Sequence, residues 1–131
     1  MKLLLDTSIW LQSNVQPGLL SRRVARAIAN PSNEVWLSPV SVLEFISLCE
    51  KKRYRRIADP VLWIRQALVT LPVREAPLTI EIASECGLFE MPTADPADRI
   101  IVATARVLGC TLVTSDQHIL KSGVVKTLPA A

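Results

Sequence analysis

Four acidic side chains stand where they could do chemistry together: Asp6 in LLLDTSIW, Glu44 in SVLEFISL, Asp98 in TADPADRIIVATAR and Asp116 in LVTSDQH. Histidine and cysteine offer little beside them. His118 is the single histidine, and Cys49, Cys86 and Cys110 are isolated, without the spacing of a zinc site or a disulfide framework. A Ser-His-Asp triad would have to be built around that one imidazole, which sets it aside. What remains is carboxylate chemistry. Two like charges about 4 to 6 Å apart repel by roughly 3 to 4 kcal/mol at an effective dielectric near 20, so converging acids need shared protons or a cation. An all-oxygen ligand set favours Mg²⁺ or Mn²⁺ over Zn²⁺, and such a site suits metal-assisted hydrolysis of a phosphodiester.

Each acid also has a purely structural reading. In DPAD, Asp95 fits a helix N-cap, Pro96 the first turn, and Asp98 the third position, where a negative charge complements the helix dipole. A capping box prefers Glu or Gln at that third position, so the shorter Asp98 is freer to point into a cleft. Asp6 precedes a Thr-Ser pair and could bond turn N–H groups, and Asp116 could cap a short following helix. Glu44 lies among apolar neighbours, so it sits at the margin of that face or pairs with a cation. Thr7, Ser8, Thr114 and Ser115 flank these acids and could steady carboxylates or simply bond their own backbone.

The elements needed to position these groups can be read from periodicity. KLLL is a continuous apolar run suited to a buried central strand, EVWLS and CTLVT read as further strands, and GVVKTL as a weak last one. Helices are expected over LLSRRVARAIA, over PVSVLEFISLCEKKRYRR, over DPVLWIRQALVTL with Asp59 as N-cap, over TIEIASECG from Thr79, and from DPAD to a stop at Gly109. The stretches after Asp6, including SNVQPG, read as turns, and PVREAPL as extended or irregular. Alternating strands and helices predict an α/β fold with a mainly parallel central sheet flanked by helices. Ligand sites in such sheets lie beyond the carboxyl ends of the strands, where Asp6 and Asp116 are expected to emerge.

The 131 residues, half of them hydrophobic, suit one domain over 1–131 with a buried core. No apolar run approaches the roughly 18 residues of a membrane span, and the N-terminal run is cut short at Asp6, too soon for a signal peptide. A soluble, cytoplasmic protein without membrane contact is the expectation.

With Asp6, Glu44, Asp98 and Asp116 in place, the sequence resembles the PIN-domain ribonucleases, specifically the VapC-type toxins of type II toxin–antitoxin pairs. The resemblance rests on LLLDTSIW, SVLEF, DPADRIIVATA and LVTSD, in that order over almost the whole chain. It implies a three-layer PIN-like fold and a Mg²⁺- or Mn²⁺-dependent endoribonuclease. Asp6, Glu44 and Asp98 would be its core acids and Asp116 the fourth. It further implies an RNA substrate, a homodimer, and a cognate protein antitoxin whose tail covers the acidic cleft. Members often carry a larger aromatic residue where this chain has Ala97, a departure that leaves the acids in place.

On the RNA side, KKRYRR places Lys52, Arg53 and Arg55 at the end of the Glu44 helix, where they could meet phosphates or only complement the helix dipole. Arg99 could bind the scissile phosphate or pair with a neighbouring acid. Trp10, Trp36 and Trp63 are read as core or interface residues, and leftover apolar surface on VLWIRQALV would suit a dimer partner or an antitoxin helix. The competing reading is a non-catalytic RNA-binding or protein-interaction module on the same fold, with the acids as caps. A phospho-acceptor signalling domain lacks its acidic pair after the first strand.

Overall fold

The run KLLL forms β1 (Lys2–Leu5), in which Leu3, Leu4 and Leu5 are all fully buried. Such a strand is covered on both faces, as a continuous apolar run requires. The computed structural model describes residues 1–51, 57–91 and 95–130. β1 stands at the centre of a five-stranded sheet with β2 (Glu34–Leu37), β3 (Arg74–Glu75), β4 (Thr111–Thr114) and β5 (Thr127–Pro129). The order is β3-β2-β1-β4-β5 and every pairing is parallel, with Leu3 opposite Val35 and Leu5 opposite Val113.

Because side chains alternate along a strand, β1 feeds two cores. Leu3 and Leu5 join one cluster with Ile9, Trp10, Val24, Phe45, Ile64 and Ala67, on α1 (Thr7–Val15), α2 (Arg22–Ala29), α3 (Pro39–Glu50) and α4 (Pro60–Thr70). Leu4 joins the other with Ile82, Ile101, Val102, Ala105 and Ile119, on α5 (Ile80–Glu85), α6 (Pro96–Leu108) and α7 (Gln117–Ser122). Helix, sheet and helix make the three layers expected of the sequence. Trp10 and Trp63 belong to the first layer, where Phe45 stacks on Trp63 at 4.3 Å between centroids and Trp10 meets both rings edge-on. Trp36 lies instead under Lys2 and Arg74, whose cationic heads stand 5.7 and 5.9 Å from its ring.

Two local expectations need correction, and a third takes definite form. The residues after Asp6 form helix α1, not a turn: the Asp6 carboxylate accepts from Thr7 N–H and so caps it, and burial of Ile9, Trp10 and Leu11 holds it to the sheet. The turn comes later, as a short 3₁₀ segment over Pro17–Leu19. Within PVREAPL, Arg74 and Glu75 form an edge strand on β2, and the last strand is shifted to Thr127–Pro129, at the other edge, where a proline is tolerated. The expected extension of α3 through KKRYRR falls on Lys52–Arg56, outside the described residues. Among the described residues no helix is long and apolar enough to cross a membrane.

α6 ends as its sequence predicts, at Gly109 in the left-handed region with φ 67°. A Cβ there would meet nothing within 4 Å, so the constraint is backbone strain alone. Gly109→Ala is expected to lower stability by about 1 to 2 kcal/mol in a urea titration, and Gly109→Asn by less; equal stability of the alanine variant would show that this φ is not what ends the helix.

Candidate active site

The parallel pairing of β1 with β4 brings Asp6 beside Thr114, at the carboxyl ends of both strands. The Asp6 N–H donates to the Val113 carbonyl at 3.0 Å, and the Thr114 hydroxyl donates to Asp6 Oδ2 at 2.7 Å. The Asp116 N–H in turn donates to Thr114 Oγ1 at 3.0 Å. Asp6 Oδ1 accepts from Thr7 N–H at 2.8 Å, so both oxygens of this buried carboxylate are engaged although its rim remains 8% exposed.

Glu44 reaches the same place from α3, which Ser38 caps by accepting from Val40 N–H. The Thr7 hydroxyl donates to Glu44 Oε1 and lies 2.8 Å from Ser41 Oγ. Thus the margin reading of Glu44 holds, with a hydroxyl rather than a cation as its partner among the described residues. Asp98 comes from the first turn of α6 and Asp116 from the N-cap of α7, where it accepts from His118 N–H at 2.8 Å. All four acids line one cleft of about 590 Å³, together with Thr7, Ser8 and Ser115.

Asp95 does two things. Its Oδ1 accepts from Ala97 N–H at 2.9 Å, the helix cap that the sequence predicts. It also offers a carboxylate oxygen within 4.8 Å of one from Glu44 and one from Asp98, so the residue read as a helix cap also stands among the acids. Its signal in the sequence was its place one turn before Asp98.

This crowding shows in the protonation equilibria. Asp98 is pushed up to about 7, first by burial and then by the charges of Asp95, Asp6, Glu44 and Asp116. Burial also raises Asp6, against hydrogen bonds from Thr114 and Thr7 that lower it, while Asp116 and Asp95 add repulsion. Glu44 is raised by burial and by Asp95 and Asp6, and lowered by Thr7. Cleft acids held uncomfortably close, with no histidine or thiol among the lining residues, suit a hard divalent cation.

Arg99 is elsewhere. Its guanidinium donates to the Cys86 carbonyl and stands 5.6 Å over the Phe89 ring, tying α6 to the end of α5, and it is not among the described residues that line the cleft. Lys52, Arg53 and Arg55 lie outside the described residues.

A parallel sheet layered between helices, with acids gathered at its carboxyl edge, defines the class: an α/β protein with a carboxylate-lined site. The PIN-domain family profile matches residues 3–123, and the chain belongs to the PIN-domain family. It is 33% identical over 118 residues to Ribonuclease VapC22 of Mycobacterium tuberculosis, covering 88% of each chain. Its fold is similar to that in VapBC2 from Rickettsia felis bound to a promoter DNA fragment, at a TM-score of 0.74 with 12% identity over 100% of both chains. DNA-bound VapBC from Salmonella typhimurium gives 0.72 with 15% identity over 98% of each.

The crowding has a sign. An acid whose folded pKa lies above its unfolded value of 3.8 favours the folded state below that value, and this contribution is lost as pH rises through about 7. Metal-free protein is therefore penalised at pH 8 by ionised Asp98. Asp98→Asn is expected to stabilise it at pH 8, on the order of 1 to 2 kcal/mol after discounting for solvent screening, with little gain at pH 3. Equal effects at both pH values in chelator-treated melts would contradict the repulsion.

Proposed function

We propose that this chain is a metal-dependent endoribonuclease that hydrolyses RNA phosphodiester bonds, the toxin half of a toxin–antitoxin pair. The observation that carries the reading is the convergence of Asp6, Glu44, Asp98 and Asp116, from four separate stretches of chain, on one cleft. Family membership and the resemblance to a VapC ribonuclease support it.

Asp6, Glu44, Asp98 and Asp116 would hold Mg²⁺ or Mn²⁺, with Asp95 at their edge. When bound, the ion supplies Lewis-acid stabilisation of the phosphodiester's charge and lowers the pKa of water. The chain's own residues do the positioning. Thr114 fixes the rotamer of Asp6, and Thr7 that of Glu44, so the carboxylates stand preorganised. Asp98, half-buried and near neutrality in its titration, has a proton to surrender when positive charge arrives. Ser8 and Ser115, which are exposed in the cleft, offer hydroxyls to substrate.

A protein antitoxin is proposed as the inhibitory partner, on the strength of the VapBC complexes among structures of this fold. A homodimer and a cytoplasmic location belong to the same reading. Exposed apolar side chains support self-association: Val61, Leu62 and Val69 on α4, and Ile80 and Leu88 around α5, with Val69 81% and Ile80 87% exposed. Light scattering at micromolar concentration is expected to give twice the protomer mass; one protomer mass would remove the dimer.

The deciding experiment is cleavage of total cellular RNA by antitoxin-free protein with Mg²⁺, with Mn²⁺ and with chelator. Discrete, metal-dependent fragments are expected. Asp98→Asn should lower the rate by about 100-fold or more, and Asp95→Asn, which keeps a competent cap, by about tenfold or less. Absence of cleavage by folded protein, or cleavage indifferent to Asp98→Asn, would transfer the assignment to a non-catalytic RNA-binding or protein-interaction module.

A further inference from the structure

The cleft has a second wall that the acids do not use. Helix α1 starts at Asp6, and the side chains that it turns into the cleft are Ser8, Leu11, Gln12, Val15 and Gln16. Their spacing of three and four places Ser8, Leu11, Gln12 and Val15 on one stripe, about 10 Å long at 1.5 Å per residue, and Gln16 follows it at the C-cap. Leu48, one turn beyond Glu44 on α3, also lines the cleft. The wall changes character with distance from the acids: a hydroxyl first, then aliphatic side chains and two amides.

Two properties narrow what lies on it. It bears no charge, so a phosphate gains nothing there and a neutral group is preferred. Neither amide of Gln12 and Gln16 has a side-chain hydrogen-bond partner among the described residues, although Gln12 is only half-exposed. An amide presents donor and acceptor side by side, which matches the edge of a heterocycle, and single-stranded RNA is read through such unstacked base edges. The cleft volume, about 590 Å³, falls within the range of small-ligand sites. No aromatic ring lines it among the described residues, so stacking contributes little and the amides carry the discrimination.

We infer that the stripe on α1 is a nucleobase-reading subsite: Gln12 and Gln16 address the edge of a base next to the scissile phosphate, and Val15 and Leu48 contact its faces. Adenine is the preferred base, because its paired donor and acceptor accept a glutamine amide bidentately. The inference rests on the nuclease reading and supplies that reading's missing element, the choice of cleavage site.

The test is binding rather than cleavage. Full-length protein carrying Asp98→Asn, which weakens repulsion of the phosphates, is titrated against fluorescent pentanucleotides of RNA composed only of adenine, uracil or cytosine. The adenine oligomer is expected to bind about tenfold more tightly than the others, the scale of one bidentate pair. Adding Gln12→Ala and Gln16→Ala should bring the three within about twofold. Should the double alanine variant misfold, Gln12→Met with Gln16→Met keeps the side-chain volume and removes only the amides, with the same expected loss. Equal binding of all three oligomers before the amides are removed would overturn the inference. So would a preference that survives their removal, which would leave the wall to a protein partner. Because no cleavage is required, base discrimination here together with no cleavage by the unsubstituted protein would keep the subsite and sink the nuclease.

Discussion

Holding like charges together is the constraint on which the rest of this structure depends. Asp6, Glu44, Asp95, Asp98 and Asp116 repel one another, and folding gains nothing from their proximity itself. The fold offsets the repulsion with backbone dipoles. Three of these acids are N-caps: Asp6 of α1, Asp95 of α6 and Asp116 of α7. Three helix N-termini, each with unsatisfied N–H groups and partial positive charge, therefore meet at one edge of the sheet.

That arrangement dissolves the opposition between cap and site acid. A carboxylate has two oxygens, so capping a helix start does not prevent the same group from standing among the cleft acids. Asp6 is the most firmly held, with one oxygen on Thr7 and the other on Thr114, so that its direction is fixed from a helix and a strand at once. Glu44 and Asp98 are the two that lie within a helix, and their half-buried settings leave their charges the least compensated.

Much of this was legible in the sequence because burial and capping leave local marks. KLLL shows a strand covered on both faces, the Pro after Asp59 and Asp95 marks helix starts, and Gly109 marks a stop. Helix α1 was not legible in the same way: its buried apolar residues, Ile9, Trp10 and Leu11, are contiguous, and the buried Thr7 that completes their helical spacing is polar and, with Ser8, suits a turn equally well. With it went the wall of the cleft that Gln12 and Gln16 form. Arg99 was ambiguous for another reason. Its partners, Cys86 and Phe89, become neighbours only when α5 packs on α6, which no local pattern announces. The two-residue strand β3 is likewise a product of tertiary pairing with β2 and not of propensity.

The hydrogen bond from Thr114 to Asp6 joins residues 108 apart in sequence. Closing so long a loop costs entropy before any contact rewards it, and β1, the first strand made, pairs with the strand β4 near the other end of the chain. The acid cluster therefore depends on the most non-local pairing in the sheet's centre. A chain interrupted before residue 111 keeps four of the five acids, on three of their four helices, but has neither the strand that completes the sheet's centre nor the hydroxyl that aims Asp6, so the site is complete only with the end of the molecule.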